Sequence, residues 1–259
     1  MVFTDDSYMN QELAALYSTM PQDLVQNILD FNAGQRLKPN SKGEVKVITK
    51  QFWLKVPEEY ATSGKRILMI NQETYGWHHT FRVKSPEDLM RYYADFIEHD
   101  VLGANKPSPV WVKFRNLREL ALKHGAAIIA SNIGKIGYVW ESKYRYGCRG
   151  FKKKDVNYHP WVNEVFFKEI EILKPDLILF FSGPDYDEYI DRRFEDYGFP
   201  KPQRSRALEN VESRKFVRIE VPGFPAMYRT YHPAYLQRNA RQPWAKAVVA
   251  EIERLIKNL

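Results

Sequence analysis

The chain has 259 residues, of which 44% are hydrophobic and 27% are charged. These ordinary values exclude a collagen-like, coiled-coil or wholly disordered protein. A formal net charge of +7 is a weak indication of a polyanionic partner. The single cysteine, Cys148, excludes an intramolecular disulfide and any all-cysteine metal or iron–sulfur site. Because no apolar run approaches the roughly 20 residues of a membrane helix and no signal peptide is evident, we expect a cytoplasmic protein without membrane contact.

The beginning of the chain is predicted to be helical. An amphipathic pattern covers 11–19, and a second begins at Pro21 and ends near Gly34, before a charged loop that reaches Gly43. Residues 1–45 are therefore interpreted as a helical N-terminal extension of a single domain that spans 1–259.

Short apolar runs and longer amphipathic patterns alternate along the rest of the chain. Buried strands are predicted at 66–70, 126–130 and 176–181, with a weaker one at 216–221 or 227–231. Helices are predicted at 86–102, 111–124, 161–173, 185–197 and 243–259. This alternation is typical of a three-layer α/β/α sandwich with a central, mostly parallel four-stranded sheet.

Polar residues follow the predicted strands where ligands of such sheets usually bind, beyond the carboxyl ends. The ends offer a carboxylate (Glu73), an amide (Asn132) and an imidazole (His232) that would converge on one cleft. Neither a Gly-x-Gly-x-x-Gly turn nor a phosphate-binding loop is present, which argues against a dinucleotide or nucleoside-triphosphate enzyme.

Three stretches resemble, in order, the strand-end motifs of the uracil-DNA glycosylase superfamily. Asn71-Gln-Glu-Thr-Tyr-Gly76 matches Gly-Gln-Asp-Pro-Tyr-His, Ile128-Ile-Ala-Ser-Asn132 matches an apolar run ending in Asn, and His232-Pro-Ala-Tyr-Leu236 matches His-Pro-Ser-Pro-Leu. The segment 230–239 is most similar to the thermophile-type branch, whose four-cysteine iron–sulfur cluster this chain cannot hold. The resemblance covers about 60–259. Glu in place of Asp, together with changes at the neighbouring motif positions, leaves the identity of the base open.

The resemblance implies catalytic roles for Glu73 and His232. Glu73 would stabilise the oxocarbenium-like sugar and polarise the attacking water, while a neutral His232 would donate to the O2 oxygen of the departing base. Asn132 would read the polar edge of the pyrimidine. The implied base-binding set is completed by Gln72, by Tyr75 as the wall beside C5, and by Phe81 as the stacking ring with Trp77 in reserve.

Base flipping also requires a wedge and contacts to the DNA backbone. Leu236 aligns with the wedge leucine of the family, Tyr235 would assist it, and Arg238 and Arg241 lie beside it in the sequence. A basic stretch with interleaved aromatic residues is typical of a surface that pairs phosphates and stacks bases. Its basic residues are Lys143, Arg145, Arg149, Lys152, Lys153 and Lys154.

Each of these features also has a structural interpretation. Glu73 and Asn132 could be a helix cap and a turn residue. The His232–Pro233 pair could form a turn, and the aromatic residues could pack in the core. His78 and His79 would point to opposite faces of an extended chain, so no metal site is predicted.

The sequence predicts a monomeric, monofunctional DNA glycosylase without cofactor or iron–sulfur cluster. Its substrate would be uracil or a modified pyrimidine, such as a hypermodified cytosine of phage DNA, and its product an abasic site. Two alternatives remain open. One is a catalytically inactive nucleic-acid-binding module of the same fold, and the other is a nucleoside hydrolase or transferase.

Overall fold

The computed structural model describes residues 2–4, 7–41, 43, 45–73, 77, 81–103, 107–140 and 159–259. Within these ranges the helices are α1 (Tyr8–Ser18), α2 (Gln22–Leu37), α3 (Glu58–Ala61), α4 (Pro86–Asp95), α5 (Pro109–Lys123), α6 (Pro160–Leu173), α7 (Asp187–Asp196), α8 (Pro233–Arg238) and α9 (Pro243–Lys257). A π-helix, Phe96–Leu102, continues α4, and a short 3-10 turn, Pro184–Tyr186, precedes α7. The strands are β1 (Lys46–Gln51), β2 (Arg66–Glu73), β3 (Ala127–Gly134), β4 (Ile136–Trp140), β5 (Leu177–Phe180), β6 (Gln203–Arg206), β7 (Phe216–Glu220) and β8 (Ala226–Thr230).

The main sheet is mixed but mostly parallel, with the strand order β3-β2-β5-β8-β7-β6. Strands β3, β2, β5 and β8 are parallel neighbours, whereas β7 and β6 are added antiparallel at one side. The expected mixed α/β class is confirmed, but the sheet has six strands rather than four. Both alternatives for the weaker strand form, as β7 and β8. Strand β6 is polar and mostly exposed, so a search for apolar runs misses it.

A second, two-stranded sheet joins β1 to β4 in antiparallel register. Neither strand was predicted, because β1 contains only two apolar residues, Val47 and Ile48, and β4 follows β3 after one residue, Lys135. Because β4 begins two residues after β3 ends, the small sheet follows the carboxyl end of β3, where the polar strand-end residues were predicted.

The helical extension is bonded to the rest of the protein. Asn10 of α1 accepts a hydrogen bond from the Val56 N–H (2.7 Å), and Asn32 of α2 accepts one from the Ile48 N–H (2.6 Å). Helix α2 continues to Leu37, so the end predicted near Gly34 was wrong. Buried amides therefore join both helices to the segment that includes β1.

Several helices have a proline in their first turn, where its fixed φ matches the helical conformation. These are α4, α5, α6, α8 and α9. Helix α8, directly after β8, was not predicted as a helix. Helices α8 and α9 both pack against α5. Because α8 begins at Pro233, the side chains of the motif that starts at His232 are oriented by a helix rather than by an extended loop.

Candidate active site

The carboxyl ends of β2, β3, β5 and β8 meet at one edge of the sheet, because these strands are parallel. Asn71 on β2 is the register partner of Asn132 on β3. The Gln72 Nε2 donates to the Ser182 carbonyl at 2.6 Å, and the Gly183 N–H donates to the Thr230 carbonyl at 2.9 Å. These contacts form a continuous series from β3 to the residue that ends β8, two positions before His232.

His232 caps the N-terminus of α8 with its side chain. Its Nδ1 accepts a hydrogen bond from the Ala234 N–H at 3.2 Å. Partial burial lowers the pKa of His232, and the nearby charge of Arg238 lowers that pKa further. A neutral imidazole whose Nδ1 is an acceptor carries its proton on Nε2, an assignment that follows from the hydrogen bond. His232 is therefore a neutral donor whose ring orientation is held by the helix cap.

Buried polar atoms at the same edge lack partners within the described part of the chain. The Asn71 Nδ2 donates to the Ser131 carbonyl (3.4 Å), but its Oδ1 has no hydrogen-bond partner there, and neither has the hydroxyl of Ser182. Asn132, beside Asn71, is also buried. Unsatisfied buried polar atoms are costly and require an explanation, such as an ordered water or a ligand. Asn71 and Ser182 are thus candidate ligand contacts that sequence reasoning passed over, although both stand among the polar strand-end residues.

Glu73 is the last residue of β2 and is paired in register with Gly134. Its backbone lies at the same edge, two residues beyond Asn71. Its side chain and the whole of Tyr75 lie outside the described residues, as do His78 and His79. The catalytic role of Glu73 and the wall role of Tyr75 stay predictions.

The two candidate stacking rings are deeply buried. Trp77 is 8% exposed, donates from Nε1 to the Gln51 carbonyl at 3.1 Å and makes a T-shaped contact with Phe52. Phe81 is 4% exposed, and its N–H donates to the Ile48 carbonyl. These contacts agree with the structural interpretation of core packing. Neither ring has appreciable surface for a flipped base in this conformation.

The residues assigned to the wedge differ in exposure. Leu236 is 3% exposed and borders a cavity of about 470 Å³ between α5, α8 and α9. A wedge must project from the surface, so the burial of Leu236 does not fit the predicted role. Tyr235 is 38% exposed and is the projecting residue of this pair. The helical geometry of α8 explains why Tyr235 is exposed and Leu236 is buried, because successive helical residues point in different directions.

The predicted DNA-contacting basic residues fall into two groups. Lys143, Arg145, Arg149, Lys152, Lys153 and Lys154 lie outside the described residues. Arg238 and Arg241 are exposed, and neither forms an ion pair with a carboxylate in the described part of the chain. The Arg238 guanidinium lies 5.7 Å from the centre of the Tyr235 ring. Of the two, Arg238 is close enough to His232 for its charge to lower the pKa of the imidazole.

A buried ionic cluster supports the end of β3. The Lys135 ammonium contacts the Glu169 carboxylate and donates to the Ser131 hydroxyl at 2.6 Å, while the Tyr17 hydroxyl donates to Glu169 at 2.8 Å. Burial lowers the pKa of Lys135 and raises the pKa of Glu169. The cluster joins α1 and α6 to the residue preceding Asn132. Sequence reasoning missed it, because its members are distant along the chain.

No match was found when the chain was compared with models of protein families and with curated proteins. In the described ranges no helix is long and apolar enough to cross a membrane. The same residues contain no group of three or more His, Cys, Asp and Glu side chains suited to a metal ion.

Proposed function

We propose that this protein is a monofunctional DNA glycosylase that hydrolyses the N-glycosidic bond of uracil or of a modified pyrimidine. The observation that carries the proposal is the neutral His232, whose Nδ1 is engaged by the cap of α8 and whose Nε2–H is left as a donor. In the uracil-DNA glycosylase superfamily, which this chain resembles, the histidine donor is the first residue of the last motif, the position that His232 matches. The proposal therefore combines that resemblance with the geometry at the end of β8.

The chemistry requires stabilisation at two places. As the bond from sugar to base breaks, positive charge develops on the sugar and negative charge on the O2 oxygen of the pyrimidine. His232 donates from Nε2 to that oxygen, and a donor of this kind contributes about 10²- to 10³-fold to the rate. Glu73, at the carboxyl end of β2, stabilises the sugar cation and orients water for attack.

The edge amides supply the recognition of the base. Asn132 offers a donor and an acceptor to the pyrimidine edge, and Asn71 adds the acceptor Oδ1 that lacks a protein partner. An acceptor suits the N3–H of uracil or the exocyclic amine of a cytosine. Two neighbouring amides in register therefore support a pyrimidine as the excised base.

Cleavage of the DNA strand would require an accessible amine to form a Schiff base. Lys135 comes three residues after Asn132, but it is fully buried and held by Glu169 and Ser131. Lys135 is therefore not accessible as that amine, as a monofunctional reaction that ends at the abasic site would require.

The test uses end-labelled DNA with one uracil or one 5-substituted cytosine, and hypermodified phage DNA, each followed by alkali. Product that requires alkali to cleave the strand is expected. Glu73→Gln and His232→Ala are each expected to reduce the rate at least about 10²-fold. His124→Ala, an exposed histidine at the end of α5, is the matched control and keeps full activity.

The proposal is refuted if no substrate yields an abasic product, or if the double variant of Glu73 and His232 keeps the wild-type rate. Salt-sensitive binding without product would instead indicate a nucleic-acid-binding module. Release of base from free nucleosides without DNA affinity would indicate a nucleoside hydrolase.

A further inference from the structure

Three aromatic rings form a cluster on the surface beside His232. The ring centres of Tyr231 and Tyr235 are 4.2 Å apart at an interplanar angle of 30°, and Trp244 lies 6.0 Å from the first ring and 6.2 Å from the second. We name Tyr231, Tyr235 and Trp244 the aromatic platform. Its members come from the end of β8, from α8 and from α9, so the platform exists only in the folded protein.

The platform is partly exposed to solvent. Tyr231 and Trp244 are partly exposed and also pack against the core, whereas Tyr235 is 38% exposed. The Tyr235 ring is packed at a tilt against two partly buried rings, so it is held in place while part of it stays exposed. Such rigid, amphipathic surface binds flat apolar groups at low entropic cost.

Two cationic side chains lie beside the platform. The Lys215 ammonium lies 5.5 Å from the centre of the Trp244 ring, and the Arg238 guanidinium lies 5.7 Å from that of Tyr235. Lys215 is paired with Glu212 at 2.5 Å, whereas Arg238 has no carboxylate partner among the residues that the structure describes. Aromatic faces next to cations are the combination that single-stranded nucleic acids bind, through base stacking and phosphate contacts.

Paired bases cannot use such a surface, because their faces are stacked inside the duplex. We propose that the aromatic platform binds unpaired nucleotides next to the target base, so that the substrate is DNA in a single-stranded or locally melted segment. This inference rests on the proposed function for the reaction, but the binding itself can be measured without any product. The position of Tyr231 directly before His232 places the platform beside the proposed donor.

The binding experiment uses fluorescence anisotropy with three labelled probes. They are a single-stranded oligothymidylate, an oligonucleotide of the same length with tetrahydrofuran abasic sites, and a blunt hairpin duplex. The abasic probe keeps the phosphates and removes the bases, so it isolates stacking. Wild-type protein is expected to bind the oligothymidylate at least about tenfold more tightly than either other probe.

Variants of Tyr235 distinguish the contribution of its ring from that of its hydroxyl group. Tyr235→Ala is expected to weaken binding of the oligothymidylate about 5- to 150-fold, the effect of one lost stacked base, and to leave binding of the abasic probe unchanged. Tyr235→Phe keeps the ring and retains binding. Tyr8→Ala removes a tyrosine that is 71% exposed on α1 and serves as the matched control.

Equal affinity for the base-containing and abasic probes, or equal effects of Tyr235→Ala and Tyr8→Ala, would overturn the inference. If stacking is found and no substrate is cleaved, the platform stands and the glycosylase proposal fails. If duplex and single strand are cleaved equally well and Tyr235→Ala changes neither rate, the glycosylase stands and the platform role is wrong.

Discussion

Substitution of His232 by Ala or by Asn tests its two roles separately. The Nδ1 atom accepts the Ala234 N–H at 3.2 Å and caps α8, and loss of a cap to alanine costs about 1 kcal/mol. Asparagine is a good N-cap, so His232→Asn is expected to cost less than about 0.5 kcal/mol, which is less than half the loss in His232→Ala. Both substitutions remove the Nε2–H donor, so both are expected to lower the excision rate about 10²- to 10³-fold.

The two quantities are measured independently. Urea unfolding with linear extrapolation reports stability, and single-turnover excision on the best substrate reports the chemical step. Equal losses of activity with unequal losses of stability are the expected pattern. If His232→Asn excises the base at the wild-type rate, the donor role is refuted, and if it is as unstable as His232→Ala, the capping role is refuted.

The pH dependence of stability provides a second test of the same imidazole. Burial and Arg238 hold the pKa of His232 below its usual value of 6.5. Between the folded-state pKa and about 6.5, the unfolded chain binds a proton that the folded chain does not. The contribution of His232 to stability therefore rises with pH in this interval, by at most about 1.4 kcal/mol per pH unit, and is constant above it. This part of the pH dependence should be missing from His232→Asn; identical profiles would contradict the assignment.

Three further substitutions test the surroundings of the site. Lys135→Met leaves the carboxylate of Glu169 buried without its cation and is expected to cost about 3–5 kcal/mol in urea unfolding. Most of this loss should be recovered when Glu169→Leu is added, and a loss below about 1 kcal/mol for Lys135→Met would contradict the importance of the ion pair. Arg238→Gln removes a charge that lowers the pKa of His232, so an NMR titration of this imidazole should move toward higher pH, and an unmoved titration would argue against the coupling. Asn32→Ala removes the two hydrogen bonds that join the Asn32 amide on α2 to the Ile48 backbone on β1, and it is expected to cost on the order of 1–3 kcal/mol within one cooperative transition. Two transitions would mean that the extension unfolds separately.

The elements that were predicted correctly are those with a strong local pattern. Strands β2, β3 and β5 each contain a continuous apolar run, at 67–70, 127–130 and 177–180, and α5, α6 and α9 have clear apolar stripes with proline in the first turn. Strands β1, β4 and β6 were missed because they are short or polar and are stabilised by pairing with distant segments. Strands β2 and β3 extend further toward their carboxyl ends than expected, so Asn71 lies inside β2 and Asn132 lies inside β3.

The candidate site was also predictable only in part. Polar residues at strand ends were enough to predict which edge of the sheet carries Asn132 and His232, because parallel strands present their carboxyl ends together. The exposure of a motif residue was not predictable in this way. Leu236 faces α5 and α9 while Tyr235 faces Tyr231, since α8 begins immediately after His232 and rotates each successive side chain.

The amino-acid sequence by itself determined the α/β class and the edge of the sheet toward which Asn132 and His232 lie. It also excluded a four-cysteine cluster, because the chain has a single cysteine. These properties depend on residue type and local periodicity. Only the tertiary structure decided the hydrogen bond from Ala234 to His232 Nδ1, the burial of Leu236 and the assembly of the aromatic platform. Each of these depends on packing between segments that are far apart in the chain, and local sequence patterns do not encode which distant side chains meet.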